Sequence, residues 1–244
     1  MVDRYEVVES RHRLQNPTSP DKIRLLGEQL RLDRSTQVLD VAGGHGGPAV
    51  LLAQQFGCRV TSVELRSAFA AAAREHARAA GVGDLVDVVE ADAKEFRTEQ
   101  SAYDTAVSLG ASFAFGGLVP TVQALVRAVP AGAFVAVGEP FWRSWPLPTG
   151  FEPADGEDLL PLRATVERLE SAGEVELVSL IASSHDDRDR YDALHWSTLD
   201  DWLRAKPDDP QADEFRDRAR YYRDRYLGWT RELLGWAIFV CRVA

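Results

Sequence analysis

The chain has 244 residues, of which 45% are hydrophobic, and carries a formal net charge of −10. That length accommodates one large domain or a core domain with an insertion, and the acidic balance argues against a nucleic-acid surface, which would show a basic stripe. No apolar run reaches the roughly 18 residues of a membrane span, and "MVDRYEVVESRHRLQN" at the start lacks the apolar centre of a secretory signal; the expectation is a cytoplasmic protein with neither a membrane nor a nucleic acid as partner.

In chain order, Ser19-Pro20 reads as a helix start, with serine capping and proline in the first helical position. Ile23, Leu26 and Leu30 recur at helical spacing behind it. "TQVLDVA" is a buried strand, Gly46-Gly47-Pro48 opens a helix that stops before Gly57, and "CRVTSVEL" is the next strand. The alanine-rich run from Ser67 to Ala80 predicts a helix halted by Gly81. "LVDVVEAD" follows as a strand, then a short helix at Lys94 to Arg97, the strand "YDTAVSLG", a helix from about Val119 to Val129, and the strand "AFVAVGEP". Strand and helix alternating over short loops predict right-handed crossovers and an α/β, doubly wound, mostly parallel sheet with helices on both faces.

Beyond Pro140 the pattern loosens. "FWRSWPLPTGFEPADGEDLLP" reads as a long loop, "LRATVERLESAG" as a helix, "EVELVSLIAS" as a strand and "WAIFVCRVA" as the last of seven strands. The stretch between those last two strands looks helical; Phe215, Ala219, Tyr222, Tyr226, Trp229 and Leu233 mark one apolar face of a long helix. The arginine-rich "RDRARYYRDRYLGWTRE" is interleaved with aspartate and reads as a solvated face. Cys58 and Cys241 are too few and too far apart for a disulfide framework or a zinc site. "HDDRD" at His185 to Asp189 clusters ligand types, but neighbouring charges on a helix usually point to water, so no metal site is expected.

The chemistry concentrates in "VLDVAGGHGGPA", residues 38–49. Read from Gly44, it matches the GxGxxA dinucleotide fingerprint, with Glu64 about twenty residues on. Glycines there let backbone approach a ligand and present amide hydrogens at a helix start. Against a nicotinamide enzyme, none of the three lysines has a tyrosine four residues before it, so the common Tyr-x-x-x-Lys proton donor cannot be built. Read from Asp40, the stretch is "DVAGGHG", an acid followed by Ala42, Gly44 and Gly46 at alternate positions. From about Thr36 to Pro140 the sequence thereby resembles the class I, Rossmann-like S-adenosylmethionine (SAM)-dependent methyltransferases, whose first motif carries a glycine where Ala42 stands.

The resemblance implies SAM as cofactor and S-adenosylhomocysteine (SAH) as product. Asp40, Ala42, Gly43, Gly44, His45 and Gly46 would hold its methionine end, with His45 near the carboxylate. Glu64 and Leu65 would meet the ribose, Asp92 and Ala93 the adenine, and Leu109 and Gly110 would border the cofactor. A lone acid at a strand end more often caps the following helix, but three at successive strand ends favour the cofactor. It also implies a last strand inserted antiparallel and a division into residues 1–35 covering the cofactor, a core over 36–183, a helical lid over 184–235 and a closing strand over 236–244.

An acceptor would be lined by Ser112, Phe113, Phe141 and Trp142 at the ends of the fourth and fifth strands, and by Tyr191, Trp196, Tyr222 and Trp229 on the lid. Glu139 and His195 are the candidate proton acceptors, each with a plainer reading, a loop cap and a structural histidine. Methyl transfer from a sulfonium needs chiefly in-line positioning, so no base is obligatory. The leading function is methylation of a small molecule, as in secondary metabolism, by a monomer or homodimer. The alternatives are an NAD(P)-dependent oxidoreductase and a catalytically silent binding protein of the same fold.

Overall fold

Valine, leucine and isoleucine in near-continuous runs make strands that bury both faces, the signature of a parallel sheet sandwiched by helices. In the computed structural model, which describes residues 3–154 and 158–244, these strands are β1 (Gln37–Val41), β2 (Arg59–Glu64), β3 (Val86–Glu90), β4 (Thr105–Leu109), β5 (Phe134–Trp142), β6 (Val175–Ala182) and β7 (Leu234–Val243). They form one sheet in the order β3-β2-β1-β4-β5-β7-β6. β7 runs antiparallel to both of its neighbours, from Phe134↔Arg242 to Trp142↔Leu234 on the β5 side, while β1 to β5 pair parallel. The seven-stranded α/β sheet with an antiparallel last strand is therefore present as expected.

The helices are α1 (Arg4–Glu9), α2 (Pro20–Gln29), α3 (Gly47–Phe56), α4 (Ser67–Ala79), α5 (Leu118–Ala128), α6 (Leu162–Glu170), α7 (His185–Ala205), α8 (Ala212–Arg225) and α9 (Arg231–Leu233). Their ends follow local chemistry. Ser19 caps α2 by accepting the Lys22 N–H, with Pro20 in the first turn. α3 stops at Gly57 in the left-handed conformation. Ser184 and Asp187 form a reciprocal capping box on α7. Strand alternation sorts the core into two layers. Val38, Ala136, Ile238 and Val240 pack with α2, α3 and α4 through Ile23, Leu26, Leu52 and Ala73. Leu39, Val135, Val137 and Phe239 pack with α5 and α6 through Leu125 and Leu169. Both cysteines are buried thiols.

Four expectations change. Residues 94–97 are not helical: a turn covers 93–95, where the Asp92 carbonyl takes the Glu95 and Phe96 N–H groups, and the chain then leaves regular structure. The long terminal helix is interrupted by a π-helical turn, Tyr226–Thr230, between α8 and α9. Phe215, Tyr226 and Leu233 are buried while Tyr222 and Trp229 stay accessible, and the extra residue per turn shifts Trp229 relative to Tyr226 off a regular helical stripe. The "HDDRD" run does not simply face water: Asp187 is buried, capping α7 and pairing with Lys22, and Asp189 holds Arg231 and Tyr226. Finally, β5 extends to Trp142, two residues into the segment read as a loop; residues 155–157 of that segment lie outside those described.

Candidate active site

Strand order reverses between β1 and β4, and chains leaving those carboxyl ends in opposite directions open a crevice. A cavity of about 320 Å³ fills it, within the range of small-molecule sites. Asp40, Ala42, Gly43, Gly44, Glu64, Leu65, Asp92, Ala93, Leu109 and Gly110 all line this one cavity, as does Phe113.

The loop after β1 needs left-handed backbone at alternate positions: φ is 57° at Ala42, 59° at Gly44 and 72° at Gly46. Alanine enters that region at a cost of roughly 1–2 kcal/mol, so Ala42 is held there by its surroundings. A Cβ on Gly43 would collide with the Ser62 hydroxyl and the Asp40 carboxylate, and one on Gly44 with the Gln15 side-chain oxygen. Glu64 closes the loop from β2. One carboxylate oxygen accepts the Gly44 N–H at 2.9 Å and the other the Arg66 N–H at 2.8 Å. Asp40 lies buried beneath, accepting the Ser62 hydroxyl at 3.2 Å. Burial pushes its carboxyl up to about 7, despite the Ser62 hydrogen bond and with the help of nearby Glu64. A buried acid so raised, beside a backbone cradle that excludes side chains, is matched to a ligand carrying an ammonium group, and the residues present fit SAM. Asp92 does both things a strand-end acid can do: it lines the cavity and accepts the Lys94 N–H at 2.8 Å as a turn cap.

The cavity's roof comes from the first turns of the chain, which sequence reasoning assigned as a segment without naming its contacts. Asn16 donates to the Leu109 carbonyl at 2.7 Å, and its side-chain oxygen occupies the space that a Cβ on Gly110 would need. Gln15 accepts the His45 N–H at 2.7 Å. Tyr5 and Arg13 complete that wall. The only signal in the sequence was "RLQNPTSP", a polar run before a proline, which carries no motif. His45 itself turns away from the cavity. Its ring nitrogen meets the His12 carbonyl at 2.7 Å and its face packs on Phe69. Gly46, the other motif residue outside the cavity lining, is the N-cap of α3, set against Ala73.

The acceptor candidates divide. Within β5, one carboxylate oxygen of Glu139 is buried without a hydrogen-bond partner among the described residues, and neither Glu139 nor Ser112 lines the cofactor cavity. Burial, opposed by the nearby Ser112 side chain, raises the Glu139 carboxyl to about 7. Phe141 and Trp142 do not face the crevice. Phe141 packs over Gly235 in the sheet core, and Trp142 is enclosed by Phe151, Leu233 and Leu234. Successive β residues point to opposite faces, and both faces of β5 are covered at this end.

On the lid side the structure gathers Tyr191, His195, Trp196 and Tyr222 around a second cavity of about 250 Å³, bounded by α1, α7 and α8. Tyr5 lines both cavities, so the two share a wall. His195 Nε2 meets Glu9 Oε1 at 2.7 Å, and the Tyr191 hydroxyl donates to the same oxygen at 3.0 Å. Burial works to raise the Glu9 carboxyl, but the hydrogen bond and charge of His195 hold it below its usual range. Trp229 lies elsewhere, on the lid's outer part against Phe151.

A family profile described as a methyltransferase domain matches residues 38–131. A SAM-dependent methyltransferase from Thiobacillus denitrificans, crystallised with S-adenosyl-L-homocysteine, is 32% identical, with a TM-score of 0.91 over 100% of this chain and 99% of that one. A SAM-dependent methyltransferase from Geobacter sulfurreducens, also with S-adenosyl-L-homocysteine, gives the same identity, coverage and TM-score of 0.91. The protein YjhP of Escherichia coli (strain K12) is 30% identical over 239 residues, 96% of each chain.

Proposed function

The chain belongs to the class I SAM-dependent methyltransferases, and from that premise we propose that it methylates a small-molecule acceptor held under the helical lid. Its cofactor is SAM, which when bound supplies a methyl group on a sulfonium. The rest of the reading concerns what the chain's own residues do.

Asp40, Ala42, Gly43 and Gly44 hold the methionine end, Glu64 and Leu65 the ribose, and Asp92 and Ala93 the adenine. Residues 1–35 act as cover, 36–183 with 236–244 as core, and 184–235 as lid. The observation that carries the acceptor assignment is the second cavity. It is walled by Tyr191, Trp196 and Tyr222, and it shares Tyr5 with the cofactor cavity. An aromatic chamber against the cofactor excludes water and fixes orientation, the two things an in-line displacement needs most. Glu139 lines neither cavity, but it follows Gly138, whose carbonyl accepts the Gly110 N–H at the edge of the cofactor cavity, and where the acceptor atom carries a proton it is the group assigned to take it. Its unpartnered oxygen and its carboxyl raised to about 7 suit a proton acceptor near neutral pH. His195 is engaged with Glu9 and is not assigned that role. Neither the nicotinamide reading nor a silent binding protein is favoured beside relatives crystallised with SAH.

The test is a KM-against-Kd split. Trp196→Ala and Tyr191→Phe should raise the acceptor KM by an order of magnitude or more while leaving SAH affinity within about threefold. Loss of SAH binding in both variants, or an unmoved KM, would place the acceptor elsewhere.

A further inference from the structure

The second cavity contains a feature that methyl transfer alone does not use. Glu9 ends α1, His12 follows one turn later, and His195 reaches them from α7, 186 residues away in sequence from Glu9. One donor atom from each lies within 4.8 Å of the other two. Glu9 is 1% exposed and His12 3%.

The hydrogen bonds fix which atoms remain. His12 Nε2 faces the Tyr191 carbonyl at 3.0 Å, and a carbonyl can only accept, so Nε2 carries the hydrogen and the neutral ring keeps its lone pair at Nδ1. That Nδ1 faces Glu9 Oε2 at 3.7 Å. Both atoms are buried, and neither has a hydrogen-bond partner among the described residues. With the ring neutral, two acceptor atoms thus lie 3.7 Å apart in a buried gap with no hydrogen-bond donor between them, a costly arrangement that a cation would relieve. Glu9 Oε1, by contrast, is oriented by Tyr191 and His195. A ring nitrogen that donates to a backbone carbonyl while its other nitrogen faces the gap is how metal-ligating histidines are held.

We propose that Glu9, His12 and His195 bind a divalent first-row transition-metal ion. Two imidazoles and one carboxylate form the donor set that suits zinc, cobalt or iron(II) and leaves coordination positions open. A bound ion would replace the direct His195–Glu9 hydrogen bond by two bonds to a common centre. Glu9 and His195 line the second cavity and His12 stands behind them, so the open positions face that chamber. Resting on the acceptor assignment above, the ion's role is to take an oxygen or nitrogen of the acceptor and fix its orientation. The sequence alone gives no such site, because its ligands are split between the two ends of the chain.

The test is titration of the purified full-length chain with Co²⁺ alone, read by visible absorption and by equilibrium dialysis, without acceptor or turnover. The expected result is one ion per chain, displaced by Zn²⁺, with affinity lowered at least about tenfold in His12→Gln and in His195→Gln. His195 is the more accessible ligand, so His195→Gln decides the matter if His12→Gln fails to fold; retained SAH affinity certifies its fold. No binding up to millimolar Co²⁺, or binding undiminished in a folded His195→Gln, overturns the proposal. Because metal is measured directly, that failure is separable from a failure of the acceptor assignment, which is read in KM.

Discussion

Replacing Glu139 by glutamine isolates the cost of placing a carboxyl inside β5. Its folded-state pKa is raised from 4.5 to about 7, so the folded protein binds the proton more tightly than the unfolded chain. For such a group, stability is fully present below about pH 4.5 and is lost as pH rises through about 7. Holding a carboxyl at about 7 rather than its ordinary 4.5 amounts to about 3 kcal/mol. Glutamine keeps the size and polarity but cannot ionise. The variant should match wild type at pH 4.5 and exceed its stability by about 3 kcal/mol at pH 8.5. Asp40, the other strongly raised carboxyl, is common to both proteins and cancels in the difference. Urea unfolding of the pair at several pH values measures this directly. A stability difference that does not change with pH would refute the burial argument for Glu139. In the same variant kcat should fall and lose its dependence on a group titrating near 7; an unchanged kcat profile would confine Glu139 to a structural role.

Other consequences are as direct. Asp40 must be ionised to pair with an ammonium, so SAH should bind about tenfold more weakly at pH 6 than at pH 8; calorimetry on wild type and Asp40→Asn checks this, the variant being flat with pH. Gly43→Ala drives a methyl group into Ser62 and Asp40, and should cost about 1–3 kcal/mol in stability together with most SAH affinity, as denaturation and calorimetry would show. The thiols of Cys58 and Cys241 are pushed by burial up to about 11 and about 12, so a thiol-specific chromogenic reagent should label neither at pH 8 until the chain unfolds.

The fold was legible because its signals are local and redundant. Apolar runs, glycine stops and proline starts each mark one boundary, and their alternation leaves few topologies. The cofactor cavity was legible for a related reason: Asp40, Glu64 and Asp92 end successive parallel strands, so the sheet itself gathers them. What escaped depends on contacts between distant segments. Gln15 and Asn16 sit in an irregular stretch, and nothing in "RLQNPTSP" says that it lies over the loops after β1 and β4. His45 looked like a cofactor contact because of its place in the loop, but the N-terminal segment supplies a nearer partner in the His12 carbonyl. Phe141 and Trp142 follow Pro140, where the apolar strand pattern breaks, and so read as a rim; pairing with Gly235 and Leu234 carries them into the core. The π-helical turn at Tyr226–Thr230 has no sequence signature that helical periodicity detects, and within it Tyr226 is buried while Trp229 stays accessible.

The central claim is that the methyl group goes to a small molecule seated beneath the lid. Incubating the full-length chain with methyl-labelled SAM and a cell extract, then separating the products by size, tests it most directly. The account predicts label in the low-molecular-weight fraction, abolished or strongly reduced by Trp196→Ala at matched cofactor occupancy. Label recovered in protein or nucleic acid, or unaffected by that substitution, would contradict it.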